Sequence, residues 1–208
     1  MKLSANISKI SPPCLPQILY RTRLLSLLEK NEDKKLTLIL GQAAQGKTTL
    51  VASYVKRSNM PSAWVNLDKE DSTPHNFFTL IGQSLCYALK GIDSVHLPSY
   101  PPGRREMRRE VPFFREWTQS LFENISSPVQ IVMDGLERLS FNAPVFKLLQ
   151  ILVEDVPRNI HLIMLSREIP SLSLEFQRLK MSQEALILTN EDLAFTPDEI
   201  KEFFEKIQ

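Results

Sequence analysis

Leu36-Thr37-Leu38-Ile39-Leu40-Gly41-Gln42-Ala43-Ala44-Gln45-Gly46-Lys47-Thr48-Thr49 is an apolar, strand-forming run that ends on a glycine, crosses four small or polar residues and closes on Gly-Lys-Thr. The helix-compatible run Leu50-Val51-Ala52-Ser53-Tyr54-Val55 follows at once. A G-x-x-x-x-G-K-T sequence between a strand and a helix is a phosphate-binding loop. Gly41 and Gly46 allow a close approach and backbone angles that a Cβ would block. Successive N–H groups from Gln42, Ala43, Ala44 and Gln45 through Thr49 then turn inward at a helix N-terminus, where partial positive charge favours a phosphate. Lys47 brings a cation to the β- and γ-phosphates, and Thr48 offers a hydroxyl to Mg2+. At ordinary glycine usage a chance match in such a chain is roughly a one-in-a-hundred event, and the flanking strand and helix lower it further.

A second nucleotide signature lies downstream. Pro128 precedes Val129-Gln130-Ile131-Val132-Met133-Asp134, an apolar strand closed by an aspartate. Ligands of open α/β sheets bind at the carboxyl ends of the strands, so Asp134 is expected to hold Mg2+ opposite Thr48, directly or through water. Glu137, three residues on, is either a base that orients the attacking water or an ordinary loop carboxylate facing solvent. The strand Ile160-His161-Leu162-Ile163-Met164-Leu165 ends in Ser166-Arg167-Glu168-Ile169-Pro170. An arginine there reaches a γ-phosphate, although arginines at strand ends are also ordinary. Lys47, Asp134 and Glu137 are therefore the candidate catalytic residues.

Two more strands are expected, Ser62–Leu67, closed by Asp68-Lys69-Glu70-Asp71, and Glu184–Thr189. Helical spacing predicts helices over about residues 18–28, 75–89, 111–124 and 146–153. Thr196-Pro197-Asp198-Glu199 is a capping box with proline at the first helical position, opening a last helix from Ile200 to Ile207. Alternating strands and helices imply an α/β fold, here a three-layer α/β/α arrangement with a mainly parallel five-stranded sheet. The expected division is an extended segment over residues 1–17, punctuated by Pro12, Pro13 and Pro16, a nucleotide-binding domain over 18–190, and the start of a helical lid over 191–208.

The 208 residues, 43% of them hydrophobic, suffice for one core, and a formal net charge of +1 gives no bulk attraction to nucleic acid or an anionic membrane. Cys14 and Cys86 suit a reducing compartment. Met1 to Leu19 holds no apolar run of signal-peptide or membrane-span length, so a cytoplasmic location is expected. His75 and His96 have no metal-ligand spacing around them. Asp68 and Asp71 either face the phosphates or simply end their strand. By spacing, Arg21 and Arg23 read as solvated helix charges. The cluster Arg104, Arg105, Arg108 and Arg109 is a patch for acidic partners or, more simply, a solvated helix start.

With these residues in place, the chain resembles the STAND class of P-loop NTPases (signal-transduction ATPases with numerous domains). Within that class it is similar to the nucleotide-binding domain of MalT-like, LuxR-type transcriptional activators. The likeness is carried by Tyr20-Arg21-Thr22-Arg23-Leu24, Gly41 to Thr49, Trp64-Val65-Asn66-Leu67-Asp68, Asp134, Leu165 to Pro170, and Leu193-Ala194-Phe195-Thr196-Pro197-Asp198-Glu199-Ile200. The discriminating pieces are W-x-x-L-D, S-R-x-x-P and L-x-F-T-x-x-E. The resemblance implies a switch held closed by ADP and opened by inducer plus ATP, which then self-assembles. It also implies that Arg21 and Arg23 lie near the base, that Arg167 lies near the phosphates as a first sensor, and that the helix after Thr196 begins the lid. MalT-like relatives carry two adjacent acids after this strand, whereas Asp134-Gly135-Leu136-Glu137 looks like the NACHT branch of the class. That supports Glu137 as the water-orienting carboxylate and leaves turnover open.

The expected activity is thus ATP/ADP–Mg2+ binding with slow hydrolysis, about 10⁻⁴ to 10⁻² s⁻¹ without an added arginine, coupled to a conformational or oligomerisation switch. DNA would be reached only through a domain outside these residues. Two alternatives stand beside it. One is a nucleotide-binding scaffold without turnover. The other is a P-loop kinase of a small molecule, which needs an arginine-bearing lid that only Arg104–Arg109 offers.

Overall fold

The computed structural model describes residues 7–15, 20–89, 107–170 and 173–207. Five strands, β1 (Leu36–Leu40), β2 (Ser62–Asn66), β3 (Val129–Asp134), β4 (Ile160–Ser166) and β5 (Ala185–Leu188), pair in parallel in the order β2-β3-β4-β1-β5. β3 and β4 are buried along their whole length, as expected of parallel strands covered on both faces. The side-chain period of two sorts the residues into two cores. Ile39, Trp64, Val132, Ile163 and Leu165 face α1 (Thr22–Glu29) and α2 (Lys47–Arg57), which supply Leu24, Leu28, Leu50 and Val51. Leu38, Val65, Ile131, Met133 and Met164 face the other way, onto α3 (Pro74–Ala88), α4 (Met107–Glu123), α5 (Val145–Asp155) and α6 (Ser173–Met181). The result is the three-layer α/β/α fold and parallel five-stranded sheet that the alternation implies.

Aromatic contacts fix α3 to α4: Phe78 lies 4.4 Å from Phe114 and 5.5 Å from Trp117 between ring centroids. Among the described residues no helix is long and apolar enough to cross a membrane.

Several local boundaries differ from the spacing. α1 starts at Thr22 rather than near Ile18, and residues 16–19 lie outside the described ones. Among the described residues α4 already runs from Met107, ahead of the expected Val111, and carries Pro112 inside it. α6 and the short α7 (Asn190–Leu193) have no strong periodic signal; α6 buries only Phe176 and Leu179 among its described side chains. Arg104 and Arg105, and the side chains of Arg108 and Arg109, fall outside the described residues. Near the N-terminus, Ile7–Lys9 forms a 3-10 turn and Ile10 enters the core.

What matters for the site is that β4 runs between β1 and β3. Leu40 pairs with Ser166, and Asp134 with Leu165. The pairing continues past the strand ends, where Gly41 N–H donates to the Ser166 carbonyl (3.1 Å) and Gly135 N–H to the Leu165 carbonyl (3.2 Å). The segments after β1, β3 and β4 therefore leave the same edge of the sheet side by side.

Candidate functional site

The loop between β1 and α2 is built around two glycines. Gly46 precedes α2 with φ 78° and ψ 19°, a left-handed conformation that glycine adopts without a Cβ clash. At Gly41 a Cβ would lie 2.5 Å from Gln45 Oε1 and 2.6 Å from Leu193 Cδ1, so any side chain there would displace Gln45 and Leu193. Ala44 is also left-handed, at φ 63°. The Lys47 ammonium crosses the loop, donating to the Gly41 carbonyl and, at 3.0 Å, to the Gln42 carbonyl. Gln42 N–H in turn donates to Gln45 Oε1 (2.7 Å) and Asn190 Oδ1 (3.1 Å).

Thr48 and Asp134, far apart in sequence, meet here: Thr48 Oγ1 donates to Asp134 Oδ2 at 2.7 Å. Burial pushes the Asp134 carboxyl above its ordinary value, against the Thr48 hydrogen bond and the charge of Arg138. Burial also lowers Lys47; the carboxylate of Glu137 opposes the shift and the charge of Arg167 adds to it. A hydroxyl and a carboxylate oxygen at one point are hard ligands suited to Mg2+. A further carboxylate oxygen nearby, Glu137 Oε2, is buried without a hydrogen-bond partner among the described residues. The residues therefore fit a hydrated divalent cation.

Glu137 is carried by the 3-10 turn Leu136–Arg138, which Gly135 opens at φ 94° and ψ 39°. A Cβ on Gly135 would stand 3.1 Å from both Cδ and Nε of Arg138. A side chain at this position would be strained in that left-handed conformation. Glu137 Oε1 lies 3.1 Å from Arg167 Nε. The structure thus brings Lys47, Thr48, Asp134, Glu137 and Arg167 to one edge of the sheet.

Arg21 and Arg23 stand apart from that cluster. Arg21 is not a solvated helix charge: it is 8% exposed. It donates to the carbonyls of Leu193 (2.8 Å) and Ala194 (2.9 Å), pairs with Glu199 at 3.0 Å, and lies 4.3 Å over the Phe195 ring. Arg23 donates to the carbonyls of Asp192 (2.9 Å) and Ala194 (3.2 Å). Both arginines grip the segment that leads from α7 into α8 (Pro197–Ile207). Arg21 also lines a cavity of about 150 Å³ beside the phosphate loop, together with Leu25, Gln45, Leu50, Phe195 and Phe203. Glu199 serves two ends. Its side chain accepts from Thr196 N–H (3.0 Å) and its own N–H donates to Thr196 Oγ1 (3.3 Å), which closes the capping box read from the sequence. Burial alone would raise the Glu199 carboxyl, but the bonds from Arg21 and Thr196 and the charges of Arg21 and Arg23 hold it below the usual glutamate value.

Asp68 and Asp71 do not reach the loop. Lys9 pairs with them at 2.7 and 2.9 Å, and both carboxylates cap the 3-10 turn after β2. Sequence reasoning missed Asn190 and Lys9, because each acts through a partner distant along the chain, and Arg138, whose charge reaches Asp134 four residues back.

The sequence profile of the family described as Nephrocystin 3, N-terminal, matches residues 16–167. Over 205 residues, 95% of this chain, the sequence is 29% identical to the HTH-type transcriptional regulator MalT of Serratia proteamaculans (strain 568), and spans 21% of that relative's length. Among solved structures, it is similar to a signal transduction ATPase with numerous domains (STAND) that carries a tetratricopeptide repeat sensor, from Pyrococcus horikoshii. The TM-score is 0.64 and the identity 19%, covering 95% of this chain and 26% of that one. It is also similar to a Walker-type ATPase of Pyrococcus abyssi, with a TM-score of 0.52 and 15% identity over 91% of this chain and 57% of that one. The resemblance to STAND-class P-loop NTPases of MalT type, drawn from the residues, is found again in these relatives.

Proposed function

The chain belongs to the family described as Nephrocystin 3, N-terminal, and from that footing we propose that it is the ATP/ADP–Mg2+-binding regulatory module of a longer signal-transduction or transcriptional-regulator protein. The observation that carries the reading is the 2.7 Å contact between Thr48 and Asp134 at the mouth of the phosphate loop. In this reading the backbone from Gly41 to Thr49 takes the phosphates and Lys47 neutralises their charge. Thr48 and Asp134 hold Mg2+, which when bound supplies further charge neutralisation on the phosphates. Glu137 orients a water and accepts its proton, and Arg167 faces the terminal phosphate.

Hydrolysis is slow and drives a conformational or self-association switch in the cytoplasm. Residues 18–190 act as the nucleotide-binding domain, and residues from 191 onward begin the lid, which Arg21 and Arg23 hold at its root. Recognition of inducer and DNA belongs to parts of the protein outside these residues. That the MalT relative is an HTH-type transcriptional regulator supports that division of labour.

Single-turnover hydrolysis of ATP–Mg2+ tests this reading. We expect a rate of about 10⁻⁴ to 10⁻² s⁻¹. Glu137→Gln should cut it by about 10²-fold, the lower end of what a positioned base contributes, with nucleotide still bound. An ATP lifetime that Glu137→Gln leaves unchanged would replace the ATPase with a non-hydrolysing scaffold.

A further inference from the structure

Arg167 stands where two anions compete for it. It follows β4, the strand flanked by β1 on one side and β3 on the other. The backbone before it is hydrogen-bonded both to Gly41, the first residue of the phosphate loop, and to Gly135, which opens the turn carrying Glu137. Its Nε lies 3.1 Å from Glu137 Oε1, while half of the arginine side chain remains in solvent. The other Glu137 oxygen is buried with no hydrogen-bond partner among the described residues. Arg167 also acts electrostatically on Lys47, the cation that marks the terminal phosphates.

We propose that Arg167 alternates between Glu137 and the terminal phosphate of a bound nucleoside triphosphate, so that Glu137 is released to the attacking water only when a triphosphate is present. The inference rests on the phosphate-site reading above and adds a regulatory contact to it. The arginine of this pair is half exposed and the Glu137 side chain is 17% exposed, so water screens the pair on the arginine's side and solvates the guanidinium as it moves. A terminal phosphate carries more charge than a carboxylate and offers three strong acceptor oxygens to a guanidinium, so the exchange is favourable. A diphosphate ends one group short and leaves Arg167 on Glu137. One of its oxygens is then engaged by the guanidinium and is not free to take a hydrogen bond from the attacking water. The same pair therefore reports which nucleotide is bound and keeps the site from acting without a triphosphate.

The test is a set of equilibrium affinities for ADP and for a non-hydrolysable β,γ-imido analogue of ATP, both with Mg2+. They are measured on the wild-type chain, Glu137→Gln, Arg167→Ala, Arg167→Lys and the Glu137→Gln/Arg167→Ala double variant. Glu137→Gln removes the competitor, so it should tighten the analogue by about twofold to fivefold and leave ADP unchanged. Arg167→Ala should weaken the analogue alone, Arg167→Lys should recover part of the loss, and Glu137→Gln should have no further effect once Arg167 is gone. Tightening that persists in the Arg167→Ala background would mean simple repulsion between Glu137 and phosphate, and would overturn the alternation. Equal shifts for both nucleotides would also overturn it. Absence of saturable binding of either nucleotide to the wild-type chain is a different outcome, and would remove the phosphate site itself.

Discussion

Gly135 shows how one backbone angle shapes the turn that carries Glu137 after Asp134. At φ 94° a side chain here is strained, and a Cβ would stand 3.1 Å from Cδ and Nε of Arg138. Gly135→Ala should cost about 1–2 kcal/mol for the left-handed conformation alone, or roughly 2–8 °C in melting temperature for a domain of this size. An unchanged melting curve would show that the turn relaxes freely. The individual site residues divide sharply in how readable they were. Lys47, Thr48 and Asp134 sit in local patterns with a physical reason for each residue type, and the structure brings their side chains together. The Glu137–Arg167 ion pair and the Asn190 bond to Gln42 N–H depend on which loops lie side by side, and no local pattern encodes that.

At the scale of elements, α7 and α8 hang on two arginines from the start of α1. Arg21 and Glu199 are 8% and 11% exposed as side chains and are joined at 3.0 Å. Removing one partner of such a pair strands the other. Arg21→Ala is therefore expected to destabilise the chain by about 3 kcal/mol and to speed amide exchange in α8, while β3 and β4 keep their protection. Acid should act in the same direction. Glu199 is held below its ordinary value, so its contribution is complete above about pH 4.3 and is lost as pH falls from there through the depressed value. Exchange in α8 that ignores both Arg21→Ala and acid would mean that the clamp holds nothing. The capping box of α8 was legible because its residues lie within one turn. Its buried partner was not, since Arg21 lies 178 residues away and its spacing fits a solvated helix face.

For the whole molecule, the alternation of apolar runs and periodic segments gave the layers and the parallel sheet, because strands buried on both faces must be continuously apolar. It did not give the strand order, which depends on how connections pack across the sheet. Yet the order places β4 between the phosphate-loop strand and the Asp134 strand, and so delivers Arg167 to both. The central claim is that this edge of the sheet is a nucleotide site. Calorimetric titration of the purified chain with ATP–Mg2+, after stripping any nucleotide that co-purifies, tests it most directly. The account predicts saturable binding at about one site per chain, weakened at least about 100-fold by Lys47→Ala through loss of the charge on the phosphates. An absence of saturable binding, or equal affinity in Lys47→Ala, would contradict it and leave the phosphate loop as an element of the fold alone.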